Sequence, residues 1–189
     1  MAEGVHRERY LSSQERENLL DIAKTSIESR LKGKVVFPPQ FDSGALTEKR
    51  GAFVSLHKHG RLRGCIGCIE GREPLGNTIH EMACAAAFGD PRFPPLTLEE
   101  FKQLDIEISV LSPLRQISDV NEIEIGMHGL YIVNGYCSGL LLPQVAVECR
   151  WDRKTFLEET CCKAGLPSHA WKDKNSRIYI FSADIFGSR

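Results

Sequence analysis

The chain lacks the features that define several large classes of protein. None of its apolar runs approaches the roughly 20 residues that cross a membrane, and its mean hydropathy is −0.23. Neither sign of charge predominates, because 24 lysines and arginines stand against 25 aspartates and glutamates, for a net charge of −1. We therefore expect no transmembrane segment and no broad basic surface for duplex nucleic acid or anionic lipid.

The sequence also lacks a secretion signal and a disulfide framework. Residues 1–9 are charged and carry no apolar segment, which favours a protein that is not secreted. Seven cysteines are an odd number, as is typical of reduced thiols. With 189 residues, 42% of them hydrophobic, the chain is long enough to bury a core without cross-links. We expect a soluble cytoplasmic protein.

Local patterns predict a mixture of helices and strands. The first helix begins at a capping box formed by Ser12 and Glu15 and ends at Gly33. Two later segments, at about 51–112 and 129–186, each show a hairpin, a helix and a strand in that order. Such patterns also recur by chance, so duplication is one of two interpretations. The prediction is an α+β fold in which duplicated hairpin–helix–strand units share one mixed, curved β-sheet.

The segment Arg61–Cys68 carries the richest chemistry. Alternate side chains of a strand share a face, so Arg61, Arg63 and Cys65 are predicted to project together while Leu62 points into the core. Two guanidinium groups beside a thiol favour the thiolate, which is the nucleophilic form. The alternative is a core thiol flanked by solvated arginines.

Glycines and a second cysteine border this thiol. Gly64 and Gly67 leave room for a ligand, for another backbone or for a bulge. Cys65 and Cys68 form a single C-x-x-C, but residues three apart on a strand face opposite sides and no second C-x-x-C is present. We therefore predict no metal site and no cofactor, with metal or redox use of this pair as the weaker alternative.

Proton-transfer groups and further ligand-binding residues lie elsewhere in the chain. His57, His59 and His128 lie on or beside the hairpins, where a base can face Cys65, although a plain surface turn is the better interpretation of His59. Glu148 interrupts an apolar run, so it is either paired with an arginine or poised as an acid or base. The other candidate ligand-binding residues are Asp90 and Arg92, which can also pair with each other, together with Gln144 and Trp151.

Five motifs carry a resemblance to a known family. They are Leu62–Gly67, Asp90–Pro95, His128–Leu130, Leu141–Ala146 with Glu148 and Trp151, and Lys163–Pro167. Over about residues 10–187 the chain resembles the AMMECR family, whose prokaryotic members are called AmmeMemoRadiSam system protein A. The resemblance implies one AMMECR-type domain with two unequal lobes and a cleft where the hexapeptide around Cys65 lies. It also implies Memo-like and radical-SAM proteins as partners, and no established biochemical activity.

Two classes of function follow from these residues. In the first, the protein is an enzyme with Cys65 as nucleophile, Arg61 and Arg63 holding a small anionic substrate, and Glu148 or His128 moving a proton. In the second, the same arginines and glycines bind a small anionic ligand, a nucleotide or a partner protein without chemistry.

Overall fold

A computed structural model describes residues 10–35, 37–38, 40–42 and 44–188 of the chain. Within them the helices are α1 (Ser13–Leu31), α2 (Leu75–Phe88), α3 (Leu98–Phe101), α4 (Pro143–Glu148) and α5 (Arg153–Lys163). The strands are β1 (Ala52–Lys58), β2 (Arg61–Cys68), β3 (Leu104–Leu111), β4 (Arg115–Ile117), β5 (Gly129–Asn134), β6 (Cys137–Leu141), β7 (Arg177–Phe181) and β8 (Ala183–Ser188). None of the described helices combines the length and the apolar character needed to cross a membrane.

The chain forms two compact units, each with its own sheet. The first unit comprises residues 10–111 and 184–188, and the second comprises residues 112–183. The first sheet has the strand order β2-β1-β3-β8, and the second has the order β4-β7-β5-β6. The α+β class is confirmed, whereas the prediction of one shared mixed sheet is wrong. Each hairpin instead pairs antiparallel with the strand that follows its own helix, β3 or β7.

The same succession of hairpin, helix and strand occurs in both units, with matching strand orders. A glycine on the second strand of each hairpin lies close to backbone near the end of a helix. A Cβ on Gly64 would lie 2.2 Å from the carbonyl oxygen of Ala86, and one on Gly139 would lie 2.5 Å from the nitrogen of Ala164. The two units thus share this close approach as well as their succession of elements.

The core of the first unit lies between its sheet and the helices α1 and α2. On β1, Ala52, Val54 and Leu56 are completely buried, and they alternate with less buried residues on the opposite face of the sheet. The predicted start of α1 is confirmed, since the Ser12 side chain accepts the Glu15 N–H within a complete capping box. The helix ends where predicted, because Gly33 adopts a φ of +67°.

The second unit builds a separate core on the same plan. Its buried side chains come mainly from β5, α5 and β7, among them Leu130, Ile132, Phe156, Leu157 and Ile180. Asp152 caps α5 as the sequence predicts, because its side chain accepts the Thr155 N–H. Gly135 has a φ of +58° in the two-residue turn between β5 and β6, so the predicted hairpin is present. Its turn is Gly135-Tyr136 rather than Asn134-Gly135, because Asn134 is the last residue of β5 and pairs with Cys137.

Three short elements are absent from the sequence prediction. These are α4, β4 and β8, of six, three and six residues. Six residues of helix in α4 and three of strand in β4 provide too few periods for an amphipathic pattern to emerge. In β8 the buried, charged residue Asp184 interrupts the apolar alternation by which a strand is recognised. The carboxylate of Asp184 is stabilised by an ion pair of 2.8 Å with Arg16 and by a hydrogen bond from the Leu11 N–H.

We expect Gly64→Ala to lower the free energy of unfolding by about 3 kcal/mol, because the new methyl group would collide with backbone that has no room to move. Gly76→Ala is the matched control within α2. A Cβ there has ordinary contacts of 3.5 Å or more, and alanine is the better helix former, so stability should rise by up to about 1 kcal/mol. Urea unfolding measures both, and equal effects would contradict the close packing of α2 on β2.

Candidate functional site

An extra residue in β2 determines where the side chains of the hexapeptide point. Cys65 lies opposite Ser55 and Gly64 opposite Leu56, but the next pair joins Leu62 to His57. Arg63 is the additional residue of this β-bulge. A bulge changes which side chains share a face, so the simple alternation assumed from the sequence fails at this point.

Two sequence predictions for β2 are therefore wrong. Leu62 shares a face with His57 on the side away from the core and is 42% exposed, rather than buried. Arg61 lies opposite Lys58, three residues beyond the Ser55 that faces Cys65, so Arg61 and Cys65 belong to opposite faces. The predicted common face of the two arginines and the thiol is not formed.

Arg63 is part of a buried ion pair. Its side chain donates from Nε and Nη2 to the two carboxylate oxygens of Glu100, both at 3.0 Å, and from Nη2 to the carbonyl oxygen of Pro94 at 2.9 Å. The residue is only 8% exposed. These bonds attach the guanidinium group to α3 and to the segment before it. The positive charge that was expected to hold a substrate is therefore neutralised by Glu100.

Asp90 and Arg92 clamp the backbone of Cys65 on the outer edge of the sheet. The N–H of Cys65 donates to Asp90 Oδ2 at 2.9 Å, and Arg92 Nη2 donates to the carbonyl oxygen of Cys65 at 3.1 Å. The two side chains also bind each other, through Nε to Oδ1 at 2.9 Å and Nη2 to Oδ2 at 2.6 Å. Asp90 and Arg92 therefore pair with each other, which is one of the two interpretations that the sequence left open. The same pair also holds the backbone of Cys65, the candidate nucleophile.

The electrostatics of the clamp favour its charged form. The hydrogen bond from Arg92 holds the pKa of Asp90 far below its usual range, and the hydrogen bond from the Cys65 N–H adds to this effect. Desolvation of the buried carboxylate acts in the opposite direction and raises the pKa, but by less. The Asp90 hydrogen bond raises the pKa of Arg92, and the electrostatic interaction with the neighbouring Cys65 makes a smaller contribution. Likewise, the Arg63 hydrogen bond lowers the pKa of Glu100 to about 2. Both carboxylates are therefore ionised at any physiological pH.

The thiol of Cys65 is half-buried and has a polar neighbour across the strand. Ser55 Oγ donates to Cys65 Sγ at 3.2 Å. Cys68 lies opposite the buried Ala52, so the two cysteines are on opposite faces of the sheet. In the part of the chain that the structure describes, no cluster of three or more histidines, cysteines and carboxylates is arranged to hold a metal ion.

The two glycines of the hexapeptide accommodate protein rather than open space. At Gly64 the Ala86 carbonyl oxygen fills the position of a side chain, which is the approach of a second backbone that the sequence allowed. At Gly67 the ring of Phe53 lies where a Cβ would be, 2.2 Å from its ideal position. Both glycines thus have a packing role.

The other candidate residues belong to the second unit. His128 Nδ1 accepts the N–H of Glu124 at 3.1 Å, and burial lowers the pKa of its imidazole. Glu148 ends α4 and is exposed, and among the described residues it forms no ion pair with an arginine. Trp151 packs against the core, and the Oε1 atom of Gln144 is buried without a partner among the described residues. The structure thus brings Cys65, Arg63, Asp90 and Arg92 together in one unit and places these four in the other.

Sequence analysis missed one feature of the first unit altogether. A surface cavity of about 280 Å³ lies between α1 and the segment that follows it, lined among others by Asp21, Ser26, Phe37 and Phe41. None of the predicted site residues lines it. One of its walls is α1 and the other is an irregular segment, so no local pattern signals it.

Comparison with known proteins identifies the family. The family model AMMECR1 matches residues 20–186. The chain belongs to the AMMECR1 family. A curated protein of Methanothermobacter thermautotrophicus is 43% identical over 183 residues, covering 93% of this chain and 95% of that protein. Protein PH0010 of Pyrococcus horikoshii is 44% identical over 181 residues, covering 90% of this chain and 88% of that protein.

A solved structure shows the same fold. The crystal structure of PH0010, described as an uncharacterized protein, matches with a TM-score of 0.84 and 42% identity, over 90% of each chain. The resemblance drawn from the motifs is therefore confirmed, and the AMMECR1 match spans both compact units. No biochemical activity comes with the names of these AMMECR1-family relatives.

Replacing Asp90 tests the clamp directly. We expect Asp90→Asn to lower the free energy of unfolding by about 3 kcal/mol, because the amide loses the charge that Arg92 and the Cys65 N–H require. Asp21→Asn, at an exposed position of α1, should change stability by less than about 0.5 kcal/mol. Guanidinium chloride unfolding at pH 7 measures both, and a loss below about 1 kcal/mol at Asp90 would contradict the clamp.

The contribution of Glu100 to the free energy of unfolding should depend on pH. Its pKa is lowered in the folded chain, so its contribution is complete above about pH 4.5 and is lost as the pH falls towards about 2. The difference in free energy of unfolding between the wild type and Glu100→Gln should therefore shrink between pH 5 and pH 3. Glu99→Gln, its highly exposed neighbour, should show little difference at any pH. A constant difference for Glu100→Gln would contradict this account.

Proposed function

We propose that the protein is a cysteine-dependent enzyme that acts on a small anionic substrate, with Cys65 as its nucleophile. The observation that carries the proposal is the clamp: both polar groups of the Cys65 backbone are held by an ionised pair, while the residue itself stays partly exposed. A catalytic group must be fixed to a fraction of an ångström, and hydrogen bonds from a charged pair anchored by the buried Asp90 supply such rigidity.

The surroundings of the sulfur support a nucleophilic role. Ser55 offers a hydroxyl hydrogen bond at 3.2 Å, which stabilises a sulfur atom that carries negative charge. The guanidinium group of Arg92 lies near enough to Cys65 for the two side chains to interact electrostatically. A cationic neighbour of this kind is typical of reactive cysteines.

Arg92 is also the group that favours an anionic substrate. Its side chain is 54% exposed although Asp90 holds one side of it, whereas Arg63 is buried against Glu100. The role first expected of Arg61 and Arg63 therefore passes to Arg92 in this proposal. A carboxylate or phosphate is the chemical group that a guanidinium fork best accommodates.

Two alkylating reagents that differ only in charge test the proposal. At low salt, Cys65 should prefer iodoacetate over iodoacetamide by about fivefold more than the exposed Cys137 does, since one ion pair in water is worth about 1 kcal/mol. Peptide mass spectrometry gives the rate at each cysteine. The preference should fall as salt is added, because ions screen an exposed charge.

Substitutions separate the charge of Arg92 from its structural role. Arg92→Gln should abolish the preference for iodoacetate, and Arg92→Lys should retain most of it. Arg61→Gln, an exposed arginine on the other face of the same strand, should leave it unchanged. A loss of reactivity that is equal for both reagents would mean that Arg92 acts only through the clamp. If Cys65 alkylates no faster than Cys137 with either reagent, the enzyme proposal is wrong.

One observation favours the alternative, a module that binds a partner protein. Leu62 is an exposed apolar side chain inside the hexapeptide and lies on the same face as Cys65. The family resemblance points to Memo-like and radical-SAM proteins as partners. On this account Leu62→Asp should prevent a co-expressed partner of either type from co-eluting in size-exclusion chromatography, and Cys65→Ser should not.

A further inference from the structure

The outer face of the first sheet carries two rows of mainly polar side chains across three strands. The strand registers place Cys65, Ser55 and Glu107 in one row and Leu62, His57 and Asp105 in the next. Every second residue of β1, from Ala52 to Leu56, is buried in the core, so these rows occupy the opposite face of the sheet.

His57 is the diagonal neighbour of Cys65 on this face. It follows Ser55 by two residues on β1, and Ser55 is directly opposite Cys65. Diagonal neighbours in an antiparallel pair are about 7–8 Å apart at Cα, a distance that long side chains bridge. The bulge lies between the two rows, and bulges are a common means of re-aiming a side chain towards a site.

The other described histidines of the first unit have different surroundings. His59 is in the turn after β1 with a φ of +51°. His80, on α2, bonds through Nδ1 to Ser26 Oγ at 2.7 Å. Of these three, His57 is the one whose strand position shares a face with the thiol.

We propose that His57 accepts the proton of the Cys65 thiol and that Asp105 positions the imidazole for this transfer. This proposal rests on the proposed function. The S–H proton moves to one ring nitrogen of His57, which leaves a thiolate beside an imidazolium. The carboxylate of Asp105, opposite His57 in the register, accepts the other ring N–H. Glu107 on β3 and Cys65 on β2 are the other titratable groups that face His57 across the sheet, and Lys58 and His59 follow it in the chain.

The rate of Cys65 alkylation by iodoacetamide at two pH values tests this proposal. At pH 6.5, His57→Gln should slow the reaction about tenfold, because the thiol has lost its proton acceptor. At pH 9, where thiols ionise without help, the rates of variant and wild type should converge. Asp105→Asn should give a smaller loss with the same pH dependence. His59→Asn is the control, since asparagine tolerates the positive φ of that turn, and it should leave both rates unchanged.

Cys137 in the same samples serves as the internal reference, and urea unfolding confirms that each variant is folded. Unchanged rates in His57→Gln, while wild-type Cys65 still outpaces Cys137, would overturn the role of His57 and leave the proposed function intact. An equal loss at both pH values would also overturn it, because that result reports altered access to the thiol. A wild-type Cys65 no faster than Cys137 would overturn the proposed function itself.

Discussion

The carboxylate of Asp90 accepts the N–H of Cys65 and two N–H groups of the Arg92 side chain, and the geometry of the first unit's candidate site depends on this contact. Each charged hydrogen bond of this kind is worth roughly 1.5–3 kcal/mol, and a buried carboxylate without them would be costly. The ring of Phe93 lies within 6 Å of both the Arg63 and the Arg92 guanidinium carbons, at 5.7 and 5.6 Å. The loop Asp90–Pro95 and the hexapeptide Leu62–Gly67 are therefore held together by these contacts.

These contacts between the hexapeptide and the loop Asp90–Pro95 change which of their residues are available to bind a ligand. Arginines beside a cysteine suggest an anion site when they are seen in sequence, yet Arg63 is committed to Glu100 and Arg92 is partly committed to Asp90. The cysteine is what the clamp leaves accessible. Its neighbours on the sheet face, Ser55 and His57, come from β1 and lie outside every motif of the family resemblance. Packing explains why the motif residues occur together, and the chemistry that we propose draws on residues that packing places beside them.

Local signals predicted the local structure well. The start of α1 at Ser12 and the hairpin between β5 and β6 follow from hydrogen bonds and backbone angles within a few residues, and both are confirmed, although the turn lies one residue later than predicted, at Gly135-Tyr136. A bulge was one of the options that Gly64 and Gly67 left open, but its position at Arg63 was not predictable, because an extra residue in one strand is defined only by its register against another. Glu100, 37 residues further along the chain, is likewise joined to Arg63 only by folding. The number of sheets was missed for the same reason, since alternation along a strand does not specify its partner.

The position of β2 at the end of its sheet gives the clamp a second consequence. An outer strand normally offers unpaired N–H and C=O groups on which a strand from another molecule can be added, and this is a common route to aggregation. At Cys65 both groups are already bonded to ionised side chains. A foreign strand would have to displace a carboxylate and a guanidinium group, with charged hydrogen bonds lost on both sides, before it could pair there. The same contact that fixes the thiol therefore keeps copies of the protein from joining edge to edge at this point.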